Sequence, residues 1–237
     1  MMQFGKLFLL PVPISEGNVN QTIPLYNIEI IKSLKKFIVE DAKTARKFLK
    51  LFNFPKIEEA ELLILNEHSK KNDLELLLND LKNGYDVGLM SDAGCPGIAD
   101  PGADLIKLAH EHLIEVVPLV GPSSIVLSIM ASGFNGQNFA FVGYLPIDKL
   151  LKSKRLKELE ELAYKKEQAQ FFIETPYRND RLFEDIITCL KPKTQVFVGK
   201  NIFSSKQLLF SKSVEEWRRV HNLDLHKVPV VFGIFKP

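Results

Sequence analysis

The 237-residue sequence predicts an α/β fold in two parts: a mainly parallel N-terminal sheet with helices on both faces over residues 1–118, and a mixed-sheet α+β domain over 119–237. Two observations carry this expectation. Up to about residue 120, short apolar runs alternate with segments whose apolar residues recur at helical spacing, the βαβα pattern of a parallel sheet. Beyond that point the runs become aromatic and alternating, as in Phe139-Ala140-Phe141-Val142-Gly143-Tyr144, and several strands suit antiparallel pairing.

Leu7 to Leu10 is a compact apolar run closed by Pro11-Val12-Pro13, a first central strand stopped by prolines that cannot donate to a ladder. Ser15-Glu16-Gly17-Asn18 supplies a loop, and Ile28, Ile31 and Leu34 share one helical face. Phe37-Ile38-Val39 is a second strand that ends in Glu40-Asp41, followed by a basic helical segment from Ala42 to Leu49. Leu62 to Leu65 is a third strand, closed by Asn66-Glu67-His68-Ser69, and Leu74 to Leu81 is an amphipathic helix ending before Asn83-Gly84. Val87 to Met90, a helix through Ala103, Ile106, Ala109 and Leu113, a strand over Glu115 to Val120, and a helix introduced by Gly121-Pro122-Ser123-Ser124 complete the alternation. In the second part, residues 148–168 are crowded with Lys, Arg and Glu and suggest a long exposed helix. Phe171 to Glu174, Val196 to Val198, Gln207 to Phe210 and Val228 to Phe235 are further strands, with a helix from Arg181 to Leu190.

Bulk properties exclude more than they assign. A hydrophobic content of 46% suits a globular protein with a real core, and a formal net charge of +2 is compatible with nucleic acid without arguing for it. Two cysteines, Cys95 and Cys189, exclude a disulfide framework and cysteine-based zinc patterns, and suggest a reducing compartment. No signal peptide and no apolar stretch near the roughly 20 residues of a membrane span is evident, so a cytoplasmic location without membrane attachment is expected. The histidines form no metal-ligand spacing, so no metal is expected. No Gly-x-x-x-x-Gly-Lys-Ser/Thr or Gly-x-Gly-x-x-Gly phosphate cradle occurs, and no Gly-x-Ser-x-Gly elbow surrounds Ser123 or Ser124.

The most specialised stretch runs from Gly88 to Gly102 and packs turn formers and two acidic groups between a strand and a helix. Ligands of open α/β sheets sit beyond the carboxyl ends of strands, so a long loop there marks a binding site. Asp100 is expected to cap the following helix, with Pro101 at its first position. Glu40-Asp41 stands at another strand end, where capping and function are both open readings.

Taken in order, the proline-ended first strand, Glu40-Asp41, Asn66-Glu67, Ser91-Asp92-Ala93-Gly94 with Asp100-Pro101-Gly102, Gly121-Pro122-Ser123-Ser124, Gly143-Tyr144-Leu145-Pro146 and Glu174-Thr175-Pro176-Tyr177-Arg178 form an ordered set. The set resembles the tetrapyrrole methylase superfamily over nearly the whole sequence. Within it, the branch that methylates a cytidine ribose 2′-hydroxyl of small-subunit ribosomal RNA is the most similar. The resemblance implies a homodimer that holds S-adenosylmethionine between its two domains. It implies cofactor contacts at Pro11, Ser91, Asp92, Ala93, Gly94, Gly121, Pro122, Ser123, Ser124 and Pro229. Glu40, Glu67 and Arg178 are then candidate catalytic residues, and Lys43, Arg46 and Asn66 candidate substrate contacts. Glu174 and Arg178 as a structural ion pair, and Asp41 as a helix cap, stay open beside these roles.

Three departures bear on the acceptor. The superfamily branch has Thr-Pro-Ile-Gly-Asn-Leu in its first loop, where this sequence has Val12-Pro13-Ile14-Ser15-Glu16-Gly17. A Glu-Asp-Thr-Arg signature becomes Glu40-Asp41-Ala42-Lys43, which loses planar bidentate phosphate recognition unless Arg46, one turn on, supplies it. A helical C-terminal segment of longer members has no counterpart here, which is expected to weaken RNA docking. A methylase of a small molecule or a protein, or a non-catalytic module that binds the cofactor, are the alternative readings.

Overall fold

Side chains along a strand point alternately to opposite faces, and that period of two sets the layers of the first half. The computed structural model describes residues 4–16, 19–66, 69, 71–221 and 223–237, with 71 and 72 described in backbone only. Contacts divide the chain into two compact units, 1–123 and 124–237, so the turn at Gly121-Pro122-Ser123 stays with the first. The first unit runs β1 (Leu7–Leu9), α1 (Leu25–Ser33), β2 (Lys36–Val39), α2 (Ala42–Leu51), β3 (Glu61–Ile64), α3 (Lys71–Leu77), α4 (Asn79–Lys82), β4 (Val87–Met90), α5 (Gly102–Glu111) and β5 (Val116–Pro118). Its strands pair in the order β3-β2-β4-β1-β5, every pair parallel.

Phe8, Phe37, Val39 and Met90 face one core with Ile31 of α1 and Ala45, Phe48 and Leu49 of α2. Leu7, Ile38, Val87 and Leu89 face the other, against Leu77, Leu81, Leu105 and Leu108. Helices therefore cover both faces. The helix expected over Leu74 to Leu81 is interrupted at Leu78, giving α3 and α4. Leu77 and Leu78, at the break, are both buried in the core.

The second unit runs α6 (Ser124–Ser132), β6 (Phe139–Tyr144), α7 (Lys149–Lys165), β7 (Ala169–Ile173), α8 (Asn179–Cys189), β8 (Gln195–Lys200), β9 (Leu208–Ser213), α9 (Val214–Trp217) and β10 (Val230–Phe235). Its sheet has the order β6-β7-β10-β8-β9, with β6 and β7 parallel and the remaining pairs antiparallel. Leu156 and Leu159 of α7 and Leu182 and Ile186 of α8 pack on Phe172, Val196 and Phe232.

The charged segment expected to be a solvated helix is a packed one. Asp148 caps α7 by accepting from the backbone N–H groups of Leu150 and Leu151, and the helix buries Lys152 and Glu160 besides its leucines. Lys152 Nζ lies 2.9 Å from Asp185 Oδ2. Glu160 Oε1 accepts from Lys191 N at 2.8 Å and from Thr194 Oγ1 at 2.5 Å. Buried charge is tolerated only with partners, and these come from the α8 region, out of sight of a local pattern.

Phe37 anchors the first core: it has no exposed surface and meets Phe54 edge-on with ring centroids 5.6 Å apart. Phe37→Ala is expected to cost the first unit about 3–5 kcal/mol. Urea denaturation reads this as a lowered midpoint; an unchanged midpoint would contradict the packing described.

Candidate functional site

Because the five strands of the first unit are parallel, the loops that follow β1, β2, β4 and β5 share one edge of the sheet. Beyond β1, Leu10 N donates to Leu89 O at 2.9 Å, and Pro11 then ends the ladder. Val12 and Gly94 exchange backbone hydrogen bonds, Val12 N to Gly94 O at 2.9 Å and Gly94 N to Val12 O at 3.2 Å. Gly94 holds φ at +75°, a left-handed conformation that costs other residues about 1–2 kcal/mol. A Cβ at Gly121 would lie 2.1 Å from Pro11 Cβ, so only glycine lets the loop after β5 rest on that ring. The Cys95 thiol donates to Pro122 O at 3.3 Å. Pro11, Gly94, Gly121 and Pro122 thus form one tight cradle of small residues and backbone.

Acidic groups collect beside it. The Asp92 backbone N–H donates to Glu40 Oε1 at 3.1 Å, tying the end of β4 to the end of β2. Burial pushes the Glu40 carboxyl above the usual range, with Asp100 and Asp92 adding repulsion against the Asp92 N–H that opposes it. Burial likewise raises Asp92, helped by Asp41, and raises Asp100. Glu40, Ser91, Asp100 and Gly102 line one small pocket. The described residues include no group of three His, Cys, Asp or Glu placed to hold a metal ion, and no helix long and apolar enough to cross a membrane.

Asp41 has the capping role. Its exposed carboxylate accepts from Thr44 N at 2.7 Å and Thr44 Oγ1 at 2.9 Å, which holds it below the usual carboxylate range. Asp100 differs from expectation. The α5 helix begins at Gly102, Pro101 occupies the cap position, and Asp100 clamps the loop by accepting from Gly102 N at 2.7 Å and Gly97 N at 2.9 Å. Proline at the cap leaves no side-chain acceptor there, and the preceding carboxylate serves the first turn from one residue further out.

The other candidates fall into three groups. Ser91 is buried, its hydroxyl donating to Ala93 O at 3.2 Å, while Asp92 and Ala93 are exposed and Ser123 is half-buried. Lys43 and Arg46 are exposed on α2, and half-buried Asn66 lies just past β3, its backbone N–H donating to Ser69 Oγ at 3.1 Å. Glu67 lies outside the described residues. Ser124, Arg178 and Pro229 belong to the second unit. Ser124 opens α6, and Pro229 is exposed immediately before β10, its carbonyl accepting from Asn201 N at 3.0 Å. Arg178 Nη2 lies 2.7 Å from Oε1 of Glu174, whose side chain has no exposed surface, so the ion-pair reading holds for both.

The sequence pattern did not reveal a groove of about 410 Å³ between the loop after β1, α2 and the loop after β4. Ile14, Lys47, Phe48 and Leu51 contribute to it. Its floor is discontinuous in sequence; only the spacing of Lys43, Arg46, Lys47 and Lys50 hints at that side of α2.

Among solved structures, the chain is similar to the crystal structure of the methyltransferase CobJ, with a TM-score of 0.64 at 14% identity, over 98% of this chain and 100% of the other. That likeness defines the class: a tetrapyrrole methylase fold, with the parallel sheet first and the mixed sheet second. No protein-family model matches the chain. Curated relatives carry the name ribosomal RNA small subunit methyltransferase I. That of Thermotoga maritima is 31% identical over 212 residues, 90% of each chain, and that of Bacillus subtilis 33% identical over 174 residues, 73% of this chain and 56% of the relative. The chain belongs to the ribosomal RNA small subunit methyltransferase I family. It spans 64% of the Vibrio cholerae relative and 61% of the Halalkalibacterium halodurans relative.

Two substitutions test the geometry. Gly121→Ala drives a methyl into the Pro11 ring, so affinity for S-adenosylmethionine measured by calorimetry is expected to fall; unchanged affinity would separate this turn from the cofactor. Glu40→Gln keeps an acceptor for the Asp92 N–H and removes a carboxylate whose ionisation is costly in the fold. A raised folded pKa means that this cost is present at neutral pH and vanishes as pH falls below the ordinary carboxylate range. The variant is therefore expected to melt higher than the native chain at pH 7 and no higher in acid. A lowered Tm at both would contradict the cause assigned to the shift.

Proposed function

We propose that the protein transfers a methyl group from S-adenosylmethionine to a cytidine ribose 2′-hydroxyl of small-subunit ribosomal RNA and works as a homodimer. The observation that carries this reading is the junction of the glycine and proline cradle with the Glu40–Asp92 tie, inside a chain of this family. The cradle suits a ligand that needs close backbone approach: Gly94 is turned in the left-handed region, and Gly121 lets the loop after β5 lie directly on the Pro11 ring. An acidic rim suits a sulfonium better than a phosphate.

When bound, S-adenosylmethionine supplies an electrophilic methyl group on a positively charged sulfur. Pro11, Ser91, Asp92, Ala93, Gly94, Gly121, Pro122 and Ser123 of the first unit would hold it. A ribose hydroxyl is a weak nucleophile, so in-line transfer needs alignment and an acceptor for its proton. Glu40 accepts that proton at a carboxylate oxygen. Its raised pKa brings it nearer the operating pH, where a base is both ionised and basic enough. Glu67 is the second candidate for this role. Lys43 and Arg46 orient the acceptor strand through its phosphates, Asn66 offers an amide to its polar edge, and Arg178, held by Glu174, presents its remaining donors to a phosphate.

The pH profile of methyl transfer tests this assignment. Glu40 must be ionised to act, so kcat is expected to fall as pH drops through a pKa above that of a free glutamate. Glu40→Gln should lower kcat by about 10²–10⁴ with cofactor affinity retained. Unchanged turnover would remove Glu40 from the mechanism, and cofactor binding without transfer to any acceptor would favour the non-catalytic reading.

A further inference from the structure

Beside the acidic edge, α2 presents the opposite charge. Lys43, Arg46, Lys47 and Lys50 are all exposed, and their spacing places them on one face of the helix. The opposite face is buried through Ala45, Phe48 and Leu49, and the helix contains no acidic residue. From position 43 to position 50 the row is about 10.5 Å long at 1.5 Å per residue. A groove of about 650 Å³ runs along it, lined by Lys43, Thr44, Arg46, Lys47 and Lys50. Lys47 also walls the neighbouring groove of about 410 Å³, where Pro13, Ile14, Phe48 and Leu51 supply apolar surface and Glu16 and Asp92 supply carboxylates. Both volumes lie within the usual range of ligand sites.

The two grooves therefore share one wall and differ in chemistry. One is lined by four cationic side chains and Thr44, and the other combines apolar surface with Ser15, Glu16, Lys47 and Asp92. A nucleotide has the same two parts, a phosphodiester and a flat base with hydrogen-bonding edges. The Glu16 carboxylate lies 3.5 Å from Lys47 Nζ, but both side chains are largely exposed, so this pair is weak and yields to a phosphate.

We infer that the two grooves flanking α2 form a subsite for unpaired RNA, in which the apolar groove seats a base and the Lys43–Arg46–Lys47–Lys50 face holds the adjoining phosphates. Unpaired strands suit it because their bases are free to leave the stack and enter a pocket, which a duplex denies. The subsite rests on the proposal that the acceptor is RNA and extends it, adding Lys47, Lys50, Ile14 and Leu51 to the residues that engage the strand. It also answers the Lys43 departure: a row of point charges along a helix replaces one bidentate guanidinium contact.

The test uses the full chain and three probes of equal length, all fluorescein-labelled: oligocytidylate, an abasic ribose-phosphate oligomer, and polyglutamate. Anisotropy is followed against salt for the native protein, Lys47→Ala/Lys50→Ala, Leu51→Ser, and Lys206→Ala as a control elsewhere on the surface. The double lysine variant is expected to lower the slope of log K against log salt by about 0.7 for each lysine removed, with both nucleic probes. Leu51→Ser should bring the affinity ratio of oligocytidylate to abasic oligomer toward one while leaving the slope unchanged. Lys206→Ala should match the native protein.

An unaltered slope in the double variant, or polyglutamate binding as tightly as oligocytidylate, would overturn the subsite. Methyl transfer to small ribosomal subunits, measured alongside, separates the two claims. Native transfer with native-like slopes in the variants defeats the subsite and leaves the acceptor proposal standing. Loss of oligocytidylate binding in the variants with no transfer by the native protein does the reverse.

Discussion

The site depends on β4 being paired on both sides, with β1 on one edge and β2 on the other. This double pairing brings the loop after Met90 to lie between the ends of two strands that are far from it in sequence. From that position it reaches Val12 through a backbone exchange and Glu40 through the Asp92 N–H. Without the parallel order β3-β2-β4-β1-β5 the glycine cradle and the carboxylates would not share an edge. The fold thus creates the chemistry by placing short, ordinary loops together.

Two charge environments meet across a few residues. On the strand-end side, burial holds Glu40 and Asp100 above the usual carboxylate range, so each ionised form is maintained at a cost to stability. On the α2 side, lysines and an arginine stand in solvent. An acidic rim favours a cationic cofactor and disfavours phosphate, while the helix does the opposite. On the proposed function, this separation assigns a cofactor and a polyanionic strand to adjoining places on one sheet edge without competition for the same groups.

Much of the fold was legible because its signals are local. The apolar run at Val87 to Met90, the Asp41 cap and the proline stop at Pro11 each depend on a handful of adjacent residues. Lys152 and Glu160 were not legible, since the partners that make their burial tolerable lie on another helix and the turn after it. Asp100 was half legible: its link to the start of α5 follows from position, but its clamp on Gly97 needs the turned loop. For the candidate site, the loop of Asp92 to Gly94 stood out by composition. The groove at Ile14, Lys47 and Leu51 did not, because it exists only once three loops and a helix are brought side by side.

The most direct measurement is the fate of the methyl group. Small ribosomal subunits from a strain lacking the corresponding enzyme are incubated with the protein and S-adenosylmethionine labelled in its methyl group. The RNA is then digested and the labelled nucleoside identified by mass spectrometry. The account predicts label on the ribose 2′-oxygen of a cytidine, at one position. Label absent from RNA although the protein binds S-adenosylmethionine would contradict it.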